Sequence, residues 1–164
     1  MSAAALVAAN EALDKQLIDA LEAADLSQRP FDPEEWVPIE VAAHVAEFPL
    51  FFAGELRRWR EDPRAVVGRS HDDRERIAAV AEAGKADPQR LLEQCRAAIG
   101  VLAKEIARFS DTDVTATTVN VKYGSEPMTV FLERYVLGHK AGHIRQLADL
   151  SGNKASATRP TKES

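Results

Sequence analysis

The strongest constraint on this chain is the spacing of its apolar residues, which recur at intervals of three and four along long segments. That spacing places side chains on one face of an α-helix. Between residues 3 and 25, Leu6, Leu13, Leu17 and Leu21 recur this way, with Ile18 beside them. A second stripe, Val41, Val45 and Phe48, belongs to a helix that starts at Pro38, a residue suited to a first turn, and runs to about Asp62. Pro49 lies inside it, removes the hydrogen bond to the Val45 carbonyl and predicts a bend. A third long helix opens with Asp87 as N-cap and Pro88 behind it. It carries Leu91, Leu92, Cys95, Ile99 and Leu102 and ends near Phe109. The fourth runs from about Thr129 to about Leu150, with Glu133 in its early turns.

The connections carry weaker signals. A short charged helix is expected at about 71–83, starting near Ser70 and stopping before Gly84. Val114, Thr115, Thr117, Thr118, Val119 and Val121 are β-branched, and Gly124–Ser125 offers a turn, so a short β-hairpin is expected there. The expected fold class is all-α: a four-helix bundle with a short extra helix and a small β-hairpin before the last helix. One domain spans 1–150, and the polar segment 151–164 reads as a disordered tail.

Charge narrows the partners. There are 21 Lys+Arg against 26 Asp+Glu, a net charge of -5. That balance does not supply the basic face that nucleic acid requires. The Arg-rich stretch ELRRWREDPRAVVGRS is interleaved with acids and reads as a solvated face. No uncharged apolar run approaches a membrane span, so no membrane partner is expected. The N-terminus lacks a basic region and reaches Glu11 and Asp14 too early for a secretory signal. Together with a single cysteine, Cys95, this points to the cytoplasm.

The chemistry-bearing residues are few. In GHKAGHIRQL, His139 and His143 stand four apart and share one helix face, close enough for two imidazoles to chelate one divalent metal. His44 lies beside the apolar stripe of the second helix. A bundle that packs this helix on the last one places it opposite the pair, giving three imidazoles with an open position. Each of the three could instead be a hydrogen-bonded core or surface residue. His71, among charges in RSHDDRER, reads as a capping or surface residue. Glu40 and Gln146 are candidates to orient the rings from outside, or else helix-surface residues. Glu47, three after His44, reads as a solvent-facing acid rather than a general base, and Cys95 as a small core hydrophobe rather than a nucleophile. Trp36, Trp59, Phe48, Phe51 and Phe52 read as packing, with some at a pocket mouth. No phosphate-binding glycine loop, CxxC or GxSxG supplies a rival apparatus.

WVPIEVAAHVAEF, with Trp36, Glu40 and His44, resembles the second helix of the DinB/YfiT-like superfamily. LERYVLGHKAGHIRQL resembles that family's last helix, with its HxxxHxxQ pattern at His139, His143 and Gln146. The order of helices fits along nearly the whole chain; Val37 departs, standing where the family often has a capping Ser or Thr. The resemblance implies a four-helix bundle, often a homodimer, with a divalent metal on three histidines, zinc or nickel by the preference of imidazole. It also implies a small-molecule substrate, with low-molecular-weight thiols among those the family uses.

Two functional classes follow. One is a metal-dependent enzyme, a thiol transferase or hydrolase. The other is a non-catalytic metal-binding or stress-response module on the same scaffold.

Overall fold

The computed structural model of the chain describes residues 1–30, 35–69 and 73–157, with side chains as far as Gly152. His71, the expected helix start at Ser70 and the last seven residues of the polar tail lie outside the described residues.

Helix α1 (Ala3–Ala23) starts where the Ser2 hydroxyl accepts from the Ala5 N–H. Its buried stripe is Leu6, Asn10, Asp14, Leu17 and Leu21. Asp14 thus takes the core-facing position expected for Leu13, which is only half-buried. Helix α2 (Pro38–Glu61) opens on Pro38 and runs uninterrupted through the buried Pro49. Helix α3 (Arg74–Glu82) starts three residues later than expected, with the Asp73 carboxylate capping the Arg76 N–H. A 3₁₀ turn, Ala83–Lys85, carries it past Gly84. Helix α4 (Pro88–Ile106) begins on Pro88, its Asp87 cap accepting from the Arg90 N–H at 2.8 Å.

Residues Val114 and Thr115, expected in a hairpin, are instead in the short helix α5 (Asp111–Thr115). A reciprocal cap decides this: Ser110 Oγ accepts from the Asp113 N–H, and the Asp113 carboxylate accepts from the Ser110 N–H. The hairpin itself follows. Strand β2 (Thr117–Asn120) pairs antiparallel with β3 (Gly124–Pro127). The turn is Val121–Tyr123, not Gly124–Ser125, because the Asn120 side chain accepts from the Lys122 N–H (2.8 Å) and the Tyr123 N–H (3.3 Å). Gly124 closes the loop at φ +73°, a conformation that costs glycine least. A third strand, β1 (Val66–Val67), pairs in parallel with β2 and had no signal of its own in the sequence.

The last helix is continuous but not uniform. It begins as α6 (Met128–Leu132), opens into a π turn over Glu133–Leu137, and resumes as α7 (Gly138–Ala157), seven residues past the expected end at Leu150. In the π turn the Gly138 N–H reaches back to the Glu133 carbonyl. A Cβ on Gly138 would lie 2.8 Å from that oxygen, so the turn needs glycine there.

The helices bury one core. α2 packs most extensively on α4, and α1 packs on both α7 and α4. Phe48, Phe52, Leu56, Trp59, Phe131 and Leu102 are all within 2% of full burial. Trp59 stacks on Phe109 at 5.7 Å. Cys95 lies in this core, its thiol donating to the Ala42 carbonyl, and burial pushes its pKa up to about 12. α1 and α7 are also joined by charge. The fully buried Lys140 donates to Asn10 Oδ1 at 2.5 Å and to the Asp14 carboxylate, which in turn accepts from Asn10 Nδ2 at 2.7 Å.

Candidate metal centre

Three helical registers set the centre. His44 projects from the buried face of α2 and is 2% exposed. The π turn delivers α7 so that His139 and His143, one turn apart, face α2. The His44 ring lies 5.1 Å from the His139 ring and 5.0 Å from the His143 ring, and those two rings are 4.7 Å apart. Each ring offers one nitrogen, and the three nitrogens lie within 4.8 Å of one another. His44 Nε2 and His139 Nε2 are 3.0 Å apart. His143 Nε2 is buried and has no hydrogen-bond partner. Such a cluster could hold a metal ion: three converging imidazoles, each with one nitrogen directed inward, are a donor set suited to divalent transition metals.

The electrostatics keep these rings neutral. Burial lowers His44 below the usual imidazole range, against an opposing pull from Glu47. Burial, then the neighbouring His143 and His44, brings His139 down to about 3. Burial and His44 bring His143 down to about 4, against its hydrogen bond to Gln146. A ring that resists protonation keeps its lone pair for a ligand bond.

The surroundings sort the outer candidates. Gln146 lies beside His143, its Oε1 3.0 Å from His143 Nδ1, where an amide oxygen can only accept. Glu40 is committed elsewhere. Its carboxylate accepts from the Val37 N–H at 2.9 Å, the half of a reciprocal cap that an N3 glutamate supplies, while Val37 has no side-chain oxygen to supply the other half. Glu47, expected to face solvent, is turned inward instead. Its Oε2 is 3.4 Å from His44 Nδ1, a long contact, and both its oxygens accept from Arg69. Burial raises the Glu47 carboxyl, but these bonds outweigh it and hold the pKa at about 2.

Aromatic rings close the flanks. Phe48 lies 4.5 Å from the His139 ring and 5.4 Å from the His44 ring, and Trp36 meets His44 edge-on at 5.7 Å. A groove of about 740 Å³ opens between α2, α3 and α4, walled by Ala43, Ala46, Leu50, Phe51, Ala98 and Val101. Glu47, which lies 3.4 Å from His44 Nδ1, also lines it. No helix of the described residues is long and apolar enough to cross a membrane.

Two solved structures share this architecture. One is titled a sibling lethal factor precursor, DfsB, with a TM-score of 0.73 and 16% identity, covering 94% of this chain and 97% of that one. The other is a mutant of a mycothiol-dependent maleylpyruvate isomerase, with a TM-score of 0.67 and 13% identity, covering 92% of this chain. This chain spans 61% of that isomerase. No curated protein matches the chain. With residues 5–147 matched by the family's model, and with a helical bundle carrying the paired histidines of the last helix opposite that of the second, the chain belongs to the DinB superfamily.

Proposed function

We propose that His44, His139 and His143 hold a divalent metal ion, zinc or nickel, and that the protein is a metal-dependent enzyme acting on a small molecule, a thiol transferase or hydrolase. The observation that carries this is the buried, unpartnered His143 Nε2 beside two further imidazoles. A buried polar atom without a partner costs about 1–3 kcal/mol. An ion at the meeting point would remove that cost. Three neutral imidazoles leave an ion its full positive charge, which when bound lowers the pKa of a coordinated water or holds a thiolate. The chain's own part is to place the three nitrogens, to fix the His143 ring through Gln146, and to keep the flanks apolar with Phe48 and Trp36. The likeness in fold to a mycothiol-dependent isomerase favours a low-molecular-weight thiol as one reactant.

A second reading, a non-catalytic metal-binding or stress-response module, draws on the closeness of Phe48 to the His139 ring and on the groove's position beyond Glu47. Metal analysis of protein purified without a histidine tag, followed by a screen of thiols and electrophiles, separates the two. Turnover that vanishes with chelation supports the enzyme. An ion that stabilises the fold without any turnover supports the module. A homodimer is the expected assembly, since two-fold dimers are the commonest oligomers; a monomeric mass by light scattering at micromolar concentration contradicts it.

A further inference from the structure

We propose that Glu47 sets the tautomer and the aim of His44, accepting the Nδ1 proton so that Nε2 turns its lone pair to the point where the three imidazoles meet, and that Arg69 holds the carboxylate to that task. This role takes its purpose from the metal-binding reading above, but the geometry behind it needs no ion.

His44 Nδ1 is buried and makes no hydrogen bond of standard geometry, and the Glu47 carboxylate stands close by, with Oε2 at 3.4 Å. Glu47 stands three residues on, on the same side of α2. A glutamate at a helix surface would ordinarily swing into water. Glu47 is kept from doing so by a fork of two bonds, Arg69 Nη2 to Oε2 at 2.9 Å and Nη1 to Oε1. Arg69 is itself enclosed: its side chain is 8% exposed and its guanidinium lies 4.5 Å over the Phe51 ring. The backbone that presents it is fixed by β1 and by Gly68, at φ +95°, whose N–H donates to Glu55 Oε2 at 2.7 Å.

The chemistry then leaves one arrangement. A carboxylate clamped by a guanidinium is ionised and can only accept. A nitrogen facing it can gain only by donating, so the proposed tautomer of His44 carries its proton on Nδ1 and leaves Nε2 bare. In that tautomer and without an ion, His44 Nε2 would be the acceptor in its 3.0 Å contact with His139 Nε2. His143 is arranged in the same sense by Gln146. Outer partners of this kind are worth ~10–100-fold in metal affinity. Glu47 is thus a positioning residue, and its contact with the groove is incidental to this role.

The test uses the full chain labelled with ¹⁵N-histidine and stripped of metal. Long-range ¹H–¹⁵N spectra, assigned with His71→Gln and His44→Gln, report which nitrogen of His44 is protonated. Nδ1–H is expected; Nε2–H overturns the proposal. Glu47→Ala is expected to mix the His44 tautomers and to weaken Zn²⁺ binding ~10–100-fold in competition with a chromophoric chelator. Glu47→Gln, which keeps an acceptor oxygen, falls between. Glu105→Gln breaks a comparable carboxylate–arginine contact with Arg60, remote from the histidines, and should change neither readout. A Glu47→Ala affinity within twofold of the parent, or an equal loss in Glu105→Gln, overturns the proposal. If Glu47→Ala does not fold, the spectrum and affinity of Glu47→Gln decide. If the parent takes up no ion at all, the metal-binding reading fails by itself, and the tautomer of His44 alone decides this one.

Discussion

His44 Nε2 lies 3.0 Å from His139 Nε2, across the contact between α2 and α7. Two nitrogens bound to one ion at ~2.1 Å, with ~90–110° between the bonds, would sit ~3.0–3.4 Å apart. The two rings therefore already stand at ligand spacing. Replacing His44, His139 or His143 by Ala should each weaken Zn²⁺ binding by more than the ~10–100-fold expected on losing an outer partner. Chelator competition measures this, with circular dichroism showing whether the helices persist. A His139→Ala variant of parental affinity would contradict the assignment.

The depressed histidines make the metal-free fold sensitive to acid. His139 at about 3 and His143 at about 4 stay neutral when folded, whereas an unfolded histidine titrates near 6.5. Below pH ~6.5 the unfolded chain therefore binds more protons, and stability falls with pH. Glu47, held at about 2, acts in the same direction from pH ~4.5 downward. At pH 5 each of the two histidines should cost the fold up to ~2 kcal/mol, at ~1.4 kcal/mol per pH unit. Urea unfolding at pH 7, 6 and 5 checks the slope, and His143→Gln should flatten it.

Gly138 is fixed by sterics rather than by backbone angle. A methyl group there meets the Glu133 carbonyl at 2.8 Å and must displace it. Gly138→Ala should destabilise the protein by ~1–3 kcal/mol, the usual range for overpacking. It should also loosen ion binding, because His139 is the next residue. Denaturant melts with and without Zn²⁺ separate the two effects: a variant that melts and binds as the parent does excludes the steric account.

Lys140 is fully buried. Asp14→Ala leaves its ammonium buried against Asn10 alone, and breaking a buried pair from one side costs ~3–5 kcal/mol. Asp14→Leu combined with Lys140→Met should recover much of that loss, since a buried ion pair exchanged for apolar groups is often neutral or better. Equilibrium unfolding of the single and double variants decides, and a double variant no better than Asp14→Ala contradicts the prediction.

Features of the site that follow from helix faces were legible in the sequence, and those that depend on loops and strand pairing were not. His139 and His143 are neighbours by helical spacing alone, and His44 stands beside Val41, Val45 and Phe48, so a shared centre follows from packing two stripes together. Gln146 could be read for the same reason, three residues after His143. Glu47 could not, because what turns it inward is Arg69, which follows a strand paired with β2 from Val66 to Val119. Asp14 likewise displaced Leu13 from the core face because of Lys140, 126 residues away. Val114 and Thr115 were drawn toward a strand by their branching, and the reciprocal cap of Ser110 and Asp113 overrode it.

The π turn also has a meaning for helical phase. It accommodates one more residue than a regular turn would, and each residue of an α-helix advances the face by ~100°. If the segment 133–137 were wound as ordinary α-helix with every residue kept, His139, His143 and the buried Leu147 would rotate by about that angle relative to Phe131 and Leu132. Shortening the turn by one residue, in contrast, would keep all of them in phase. The last helix thus behaves as two rods joined with an angular offset, and a single deletion within 133–137 should disturb the histidines less than a point change that straightens the turn.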